Sequence, residues 1–229
     1  MIITARVSEI FCSVQGEGLY AGQKQVFVRF AGCDLNCDYC DEPAARSAVK
    51  PAPLARIQST IKRLAFRERA LAVSFTGGEP LLQPAALKAL ALFSKRLGLA
   101  VHLETNGVRY RGLAGVVSAV DVVAADIKLP GSAGRSLWRE HASFLALAPE
   151  KTFVKVVVTS GTDPAEFRKA AALTASVSRK MPFFIQPVTP TGSLTPPSSK
   201  QLDAFYRCAA GKLDDVRMQP QLHPFWGVK

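Results

Sequence analysis

Gly32-Cys33-Asp34-Leu35-Asn36-Cys37-Asp38-Tyr39-Cys40-Asp41 carries three cysteines within eight residues, spaced C-x3-C-x2-C. The apolar run Gln25-Val26-Phe27-Val28-Arg29-Phe30 precedes it, so the loop leaves the end of a buried strand. Thiolates this close in sequence can converge on one inorganic centre without a long loop-closure cost. Iron–sulfur clusters are held by cysteine thiolates, usually four. With three, one iron is open to an outside ligand. Structural zinc prefers a closed tetrahedral set, commonly paired C-x2-C elements or added histidines. The second pair is missing and His102, His141 and His223 are scattered, although a distant fourth ligand stays open. Spacing alone favours a cluster over zinc or plain structural thiols.

Outward from this loop, strands and helices alternate. Residues 3–11 read as a strand leading to the turn Gln15-Gly16-Glu17-Gly18, and 25–31 as the next strand. Residues 51–69 put Leu54, Ile57, Ile61 and Leu64-Ala65 on one helical face. Strand 71–75 then ends at a glycine pair. Helix 84–97, strand 99–104, a short helix near 110–118, strand 120–126 and helix 134–148 follow. Strand 152–158, helix 163–179 and strand 183–187 lead to a Pro/Gly/Ser/Thr-rich loop, 187–199. Helix 198–210 and a strand near 215–219 close the pattern.

Such alternation implies an α/β fold with a parallel sheet and right-handed crossovers. Six parallel strands suggest a partial (β/α)6 barrel of TIM type. One domain would span 1–229, with its core at about 25–187 and both ends, 1–24 and 188–229, completing the site. Barrels of this kind bind ligands at the C-terminal ends of their strands. The cysteines, Thr76-Gly77-Gly78-Glu79-Pro80, Glu104-Thr105-Asn106-Gly107, Asp126-Ile127-Lys128 and Gln186-Pro187-Val188-Thr189-Pro190 all fall there.

At 229 residues, 48% hydrophobic and 21% charged, the chain has the composition of an ordinary globular protein able to bury a sizeable core. No apolar run has transmembrane length and no signal-peptide pattern opens the chain, which points to the cytoplasm and away from membranes. Thiols used as ligands rather than disulfides suit that compartment, and Cys12 and Cys208 read as buried structural thiols. The formal charge of +11 is dispersed over helix faces, with no basic–aromatic run, so nucleic acid is not the expected partner.

The cysteine spacing, with Tyr39 before the last cysteine, resembles the signature of radical S-adenosylmethionine enzymes. That resemblance implies a [4Fe–4S] cluster on Cys33, Cys37 and Cys40, its open iron taking the amino and carboxylate groups of S-adenosylmethionine. More narrowly, the Gln15–Gly18 turn, the Thr76, Glu104, Asp126 and Gln186 stretches and Pro220-Gln221-Leu222-His223 resemble, in order, the 7-carboxy-7-deazaguanine synthase family. The family likeness implies cofactor contacts from Tyr39 (near the adenine), Asp41, Gly77, Gly78 and Glu79 (at the methionine ammonium). It also implies contacts from Asp126, Ile127 and Lys128 at the ribose and carboxylate, and from Gln186, Pro187, Val188 and Thr189 at the adenosyl group. The substrate, 6-carboxy-5,6,7,8-tetrahydropterin, would meet Val14, Gln15, Gly16, Glu17, Arg29, Thr76, Glu104, His223 and the terminal carboxylate of Lys229.

Chemistry supports several of these assignments. Arg29 can grip a carboxylate with two parallel hydrogen bonds, which lysine cannot copy. Glu104 can accept from the pterin's amino and ring N–H groups. Each residue also has a plainer role open: a turn for the glycines, a surface ion pair for Asp126 and Lys128, a satisfied core position for His223. The implied reaction takes a hydrogen from C6 of the pterin, contracts the ring and eliminates ammonia, with Glu104 and His223 beside the reacting substrate. Mg2+ would assist it. Glu42 stands where the family usually has Thr or Ser as an Mg2+ ligand, and a carboxylate is also a hard-oxygen ligand. A homodimer and a flavodoxin or ferredoxin as reductant are implied too. Two rivals remain. A glycyl-radical-enzyme activase shares the cofactors and fits Asp126-x-Lys128, but not Gln15–Gly18, Arg29 or the tail; a basic zinc module binding RNA would be colourless.

Overall fold

The computed structural model describes residues 3–47, 49–190 and 192–228, so Lys229 lies outside the described residues. The chain opens with β1 (Thr4–Ala5) and β2 (Val7–Val14), turns, and returns as β3 (Lys24–Phe30) before the cysteine loop. Then come β4 (Ala52–Pro53), α1 (Leu54–Glu68), β5 (Ala72–Gly77), α2 (Pro84–Arg96) and β6 (Ala100–Thr105). Next are α3 (Tyr110–Val116), β7 (Val122–Asp126), α4 (Pro130–Ala133), α5 (Trp138–Leu145) and β8 (Thr152–Val158). Last are α6 (Pro164–Val177), β9 (Phe183–Pro187), α7 (Ser199–Ala210), β10 (Val216–Met218) and α8 (His223–Trp226).

Among the described residues eight strands form one sheet, ordered β10-β9-β8-β7-β6-β5-β3-β2. All neighbours from β3 to β10 are parallel; β2 is antiparallel to β3. β2 and β10 are its two edges, so among the described residues the sheet stays open, as a partial barrel does, rather than closing on itself. Among the described residues seven strands are parallel, one more than the six expected, because β10 docks on β9. The expected strand 3–11 is two pieces. β1 pairs with β4, while β2 runs on to Val14 and folds back on β3 through a turn closed by Gln15 N–H to Gln23 O at 2.8 Å.

Local chemistry sets the helix limits. Pro51 and Pro53 disfavour helical backbone at the residues before them, so α1 starts at Leu54 rather than 51. Asp163 accepts from Ala165 N–H to start α6, and Ser198 with Gln201 forms a capping box on α7. The helix expected over 134–148 is shorter: α4 lies before it and is capped by Gly134, whose φ of 70° favours glycine, and α5 runs only from Trp138 to Leu145.

Strand alternation divides the molecule. Val26, Val28 and Phe30, Val73 and Phe75, Val101 and Leu103, and Val154, Val156 and Val158 pack under the helices in the main core. α1 seals part of it with Leu54, Ile57, Ile61, Leu64 and Ala65. Each large apolar side chain buried this way contributes about 1.5–3 kcal/mol. The intervening residues face inward, and they are polar far more often. Among the described residues no helix is long and apolar enough to cross a membrane.

Candidate active site

A cavity of about 620 Å³ lies on the concave side, ringed by the loops that follow the parallel strands. Cys33, Cys37 and Cys40 line it as partly buried free thiols. Burial pushes the Cys33 and Cys37 thiols above their ordinary value, while the Leu35 N–H at Cys33 and the Lys128 ammonium near Cys37 work against it. Bound metal deprotonates such thiols outright. Three soft donors lining one cavity are the ligand type an iron–sulfur cluster takes, although among the described residues no three His, Cys, Asp or Glu side chains are already gathered as a metal-holding group.

The glycine pair holds the loop that carries them. Gly78 N–H donates to Phe30 O at 3.0 Å and Glu79 N–H to Gly32 O at 2.8 Å. A Cβ on Gly78 would lie 2.1 Å from Gly32 O, and one on Gly77 (φ 120°) would lie 2.3 Å from Phe30 O. Only glycine allows that backbone approach. Glu79 departs from expectation: its side chain does not reach the cavity. It is fully buried, accepting from Leu81 N–H at 2.9 Å, Thr105 Oγ1 at 2.9 Å and Asn106 N–H at 2.8 Å. Burial pushes its pKa up to about 7. Asn106 Nδ2 and Arg109 Nε in turn donate to Asp34 at 2.9 and 2.8 Å, tying three strand-end loops into one unit.

Across the cavity is a chain of alternating charges. Lys128 Nζ donates to Asp126 Oδ2 at 2.9 Å, and Lys155 Nζ lies 3.4 Å from Asp126 Oδ1 while also donating to Glu17. Burial acts to raise the Asp126 pKa, but the two ammoniums hold it below the usual carboxylate value. Despite burial, Lys128 and Lys155 are raised by these carboxylates. Lys128 also sits 5.1 Å from the centre of the Tyr39 ring, and burial pushes the Tyr39 phenol well above its ordinary value. Gln221 donates to Glu17 at 2.8 Å and to Asp41 at 2.9 Å, joining tail, N-terminal turn and cysteine loop.

The third wall belongs to Glu104. It accepts from Gln15 Nε2 at 2.8 Å, Ser74 Oγ at 2.7 Å and Thr76 Oγ1 at 2.9 Å. Arg29 lies beside it on the cavity, 3.2 Å from Glu42 and 3.6 Å from Glu9. Gly16 lies against His223, since a Cβ there would be 2.7 Å from His223 Nδ1. Val14, Gln186, Val188 and Thr189 also line the cavity. Ile127 and Pro187 do not: alternation turns Ile127 into the helix-side core and points Pro187 away from the side that Gln186 faces.

Several lining residues escaped sequence reasoning: Ser74, His102, Lys155 and the side chain of Gln221. The signal was present. Ser74, His102 and Lys155 are polar residues at inward positions of largely apolar strands, Ser74 and His102 each two residues before an inward residue already singled out, Thr76 and Glu104. His102 is buried, its pKa pulled down to about 4, with Gln25 Nε2 3.1 Å from Nδ1.

Among the described residues, five buried side-chain atoms have no hydrogen-bond partner: Gln25 Oε1, Arg29 Nε, Tyr39 Oη, Glu42 Oε2 and Asp126 Oδ1. All but Gln25 belong to residues lining this cavity. Three of the five still face an opposite charge, Arg29 Nε with Glu9 at 3.6 Å, Glu42 Oε2 with Arg29 at 3.2 Å and Asp126 Oδ1 with Lys155 at 3.4 Å, which leaves Gln25 Oε1 and Tyr39 Oη with neither kind of partner.

Open barrel and three-thiol loop together define a protein of the Radical SAM superfamily, whose profile matches residues 27–129. A 7-carboxy-7-deazaguanine synthase from Geobacter sulfurreducens is 38% identical, with 97% of each chain covered. The synthase of that name from Methanopyrus kandleri is 33% identical over 95% of this chain and 91% of its own. The chain belongs to the 7-carboxy-7-deazaguanine synthase family. The crystal structure of QueE from Escherichia coli has the same fold, with a TM-score of 0.67 at 20% identity and 94% of each chain covered. A radical SAM methyltransferase from Sphaerobacter thermophilus shares it at a TM-score of 0.64 and 12% identity, covering 92% and 77%.

Proposed function

We infer that the chain is a radical S-adenosylmethionine lyase that converts 6-carboxy-5,6,7,8-tetrahydropterin to 7-carboxy-7-deazaguanine with loss of ammonia, a step of 7-deazapurine biosynthesis. The observation that supports this is the convergence of the three thiols with Arg29, Glu104, Asp126 and Lys128 on one cavity. Cys33, Cys37 and Cys40 would hold a [4Fe–4S] cluster. When bound, the cluster and S-adenosylmethionine supply the electron and the hydrogen-abstracting radical. The chain's own residues bind, orient and exclude water. Asp126 Oδ1, paired with Lys155 at 3.4 Å but without a hydrogen bond, would accept from a ribose hydroxyl, and Lys128 would suit the methionine carboxylate. The backbone of Gly77 and Gly78, Tyr39 and Gln186 to Thr189 would frame the rest of the cofactor.

On the other side, Glu104 is pre-oriented by Gln15, Ser74 and Thr76, which leaves one acceptor site, on Oε2, for an N–H of the pterin. Arg29 would take the substrate carboxylate, leaving its present partners Glu42 and Glu9 for a bidentate grip. Glu17 and His223 bound the same space. Glu42 Oε2, a buried hard-oxygen donor, would serve as one ligand of Mg2+. Among the described residues no three His, Cys, Asp or Glu side chains form a complete metal cage, so water and substrate would supply the remaining ligands. A flavodoxin- or ferredoxin-type reductant, a homodimer and a cytoplasmic setting belong to the same proposal.

Anaerobic turnover tests it. Reconstituted, reduced protein with S-adenosylmethionine, Mg2+ and the pterin should give 7-carboxy-7-deazaguanine by mass spectrometry, and Cys37→Ala should give none. Formation of 5′-deoxyadenosine without that product would overturn the substrate assignment and favour a protein substrate. Repeating the assay across Mg2+ concentrations with Glu42→Thr tests the metal: an unchanged Mg2+ response would remove Glu42 from its ligands.

A further inference from the structure

We propose that Lys155 is a positioning residue that couples the two halves of the site, aiming Glu17 at the pterin and Asp126 at the adenosyl group together; this rests on the reaction proposed above. Lys155 is the only charged residue of β8, whose sequence Thr-Phe-Val-Lys-Val-Val-Val is otherwise largely apolar. Its Cα pairs with that of Asp126 in the β7–β8 register, which brings both side chains to the same inward level. The ammonium donates to Glu17 and lies 3.4 Å from Asp126 Oδ1, and the side chain is only 14% exposed.

A buried ammonium is costly unless carboxylates pair with it, and such pairs contribute little net stability over an apolar replacement. What the pairing contributes is geometry. Glu17 comes from the turn between β2 and β3, and Asp126 from the end of β7, so Lys155 joins segments distant in sequence. Glu17 Oε1 is held by Gln221 and Oε2 by Lys155, which fixes the carboxylate plane. Asp126 is held between Lys128 and Lys155 with Oδ1 free of any hydrogen bond. Without the Lys155 charge, two carboxylates would face each other across a poorly solvated gap and repel. Settling either carboxylate on its ligand therefore settles the shared lysine for the other. Binding of one ligand should favour the other by the same factor, as linkage requires.

The test uses reconstituted protein with its cluster oxidised, so that no turnover occurs. The affinity for S-adenosylmethionine is measured with and without saturating pterin, and the affinity for pterin with and without S-adenosylmethionine. Wild type should show equal reciprocal tightening of about 5-fold or more, the usual lower range of such couplings. Lys155→Met and Lys155→Gln should each bring the factor close to one, with Lys155→Arg restoring part of it. On turnover, both neutral variants should form more 5′-deoxyadenosine per product than wild type. Unchanged coupling in both, or pterin binding to wild type with no coupling, would overturn the proposal. So would neutral variants that cannot hold the cluster by iron and sulfide content, because the role would then be structural. A wild type that binds S-adenosylmethionine but no pterin would overturn the reaction itself, a distinct result.

Discussion

Glu79, fully buried just after β5, and Asp126, half-buried at the end of β7, are carboxylates of one sheet whose surroundings differ in kind. Glu79 is fully satisfied by neutral donors from Leu81, Thr105 and Asn106, and its side chain faces no cavity. Asp126 is held by two ammoniums, keeps one oxygen without a hydrogen bond, and lines the cavity. A complete set of partners builds architecture; an incomplete one leaves a place for a ligand. The Gly-Gly-Glu segment thus braces the cysteine loop through its backbone and the end of β6 through its side chain, while the Asp-x-Lys segment offers side chains to the cavity.

The contrast can be broken most forcefully at Glu79. Glu79→Ala leaves the Leu81 and Asn106 N–H groups unpaired at about 1–3 kcal/mol each. We expect a loss of about 4 kcal/mol and a Tm lower by roughly 10 °C in the protein without cofactors, read by calorimetry. A Tm within 2 °C of wild type would dissolve the distinction.

Next comes pH. The Glu79 carboxyl is raised from 4.5 to about 7 by burial, so the folded state binds a proton that the unfolded state has released between those values. Its contribution is therefore full below about pH 4.5 and is lost as pH rises through 7, amounting to about 3 kcal/mol at about 1.4 kcal/mol per unit. His102 and His141, both lowered to about 4 by burial, act oppositely between 4 and 6.5, so absolute stability is the wrong observable. The difference between wild type and Glu79→Gln, from denaturant titrations across pH 4.5 to 7.5, should shrink with this sign. A flat difference would place an ionised Glu79 in the fold throughout.

Asp126→Ala should do less to the fold and more to the ligand. Loss of an acceptor with charge-assisted bonds is worth about 1.5–3 kcal/mol, or about 10- to 100-fold in affinity for S-adenosylmethionine. Equilibrium binding to reconstituted protein measures it. The smallest effect belongs to single hydroxyls. Thr105→Val, which removes a satisfied hydrogen bond, should cost about 1 kcal/mol, whereas Tyr39→Phe, which removes an orphan hydroxyl, should cost none or stabilise slightly. Equal costs for the two would erase the comparison at its finest level.

Much of the architecture was legible because it depends on local patterns. Apolar periodicity located α1, and the expected helix 163–179 matches α6 with its cap Asp163 to within two residues. Ends fared worse. β1 and β2 divide what reads as one strand, α4 precedes the expected helix 134–148 and α5 within it begins only at Trp138, whereas β10 falls inside the expected strand near 215–219. In the site, Arg29, Glu104 and the three cysteines could be picked out as chemistry. Gln221 could not, because its contacts with Glu17 and Asp41 span 204 and 180 residues. Lys155 was overlooked as one charge among many.

By itself, the sequence determined which donors exist: three thiols at C-x3-C-x2-C, two glycines where a backbone must pass closely, and strands whose alternation sends polar groups to one face. These follow from bond geometry and side-chain chemistry, which are local. Only the tertiary structure decided which carboxylates are satisfied and which are left waiting. That outcome depends on partners brought together from remote parts of the chain. Glu79 meets Thr105 and Asn106 across two strand-end loops, and Lys155 meets both Glu17 and Asp126 because β8 lies beside β7 with Lys155 and Asp126 in register.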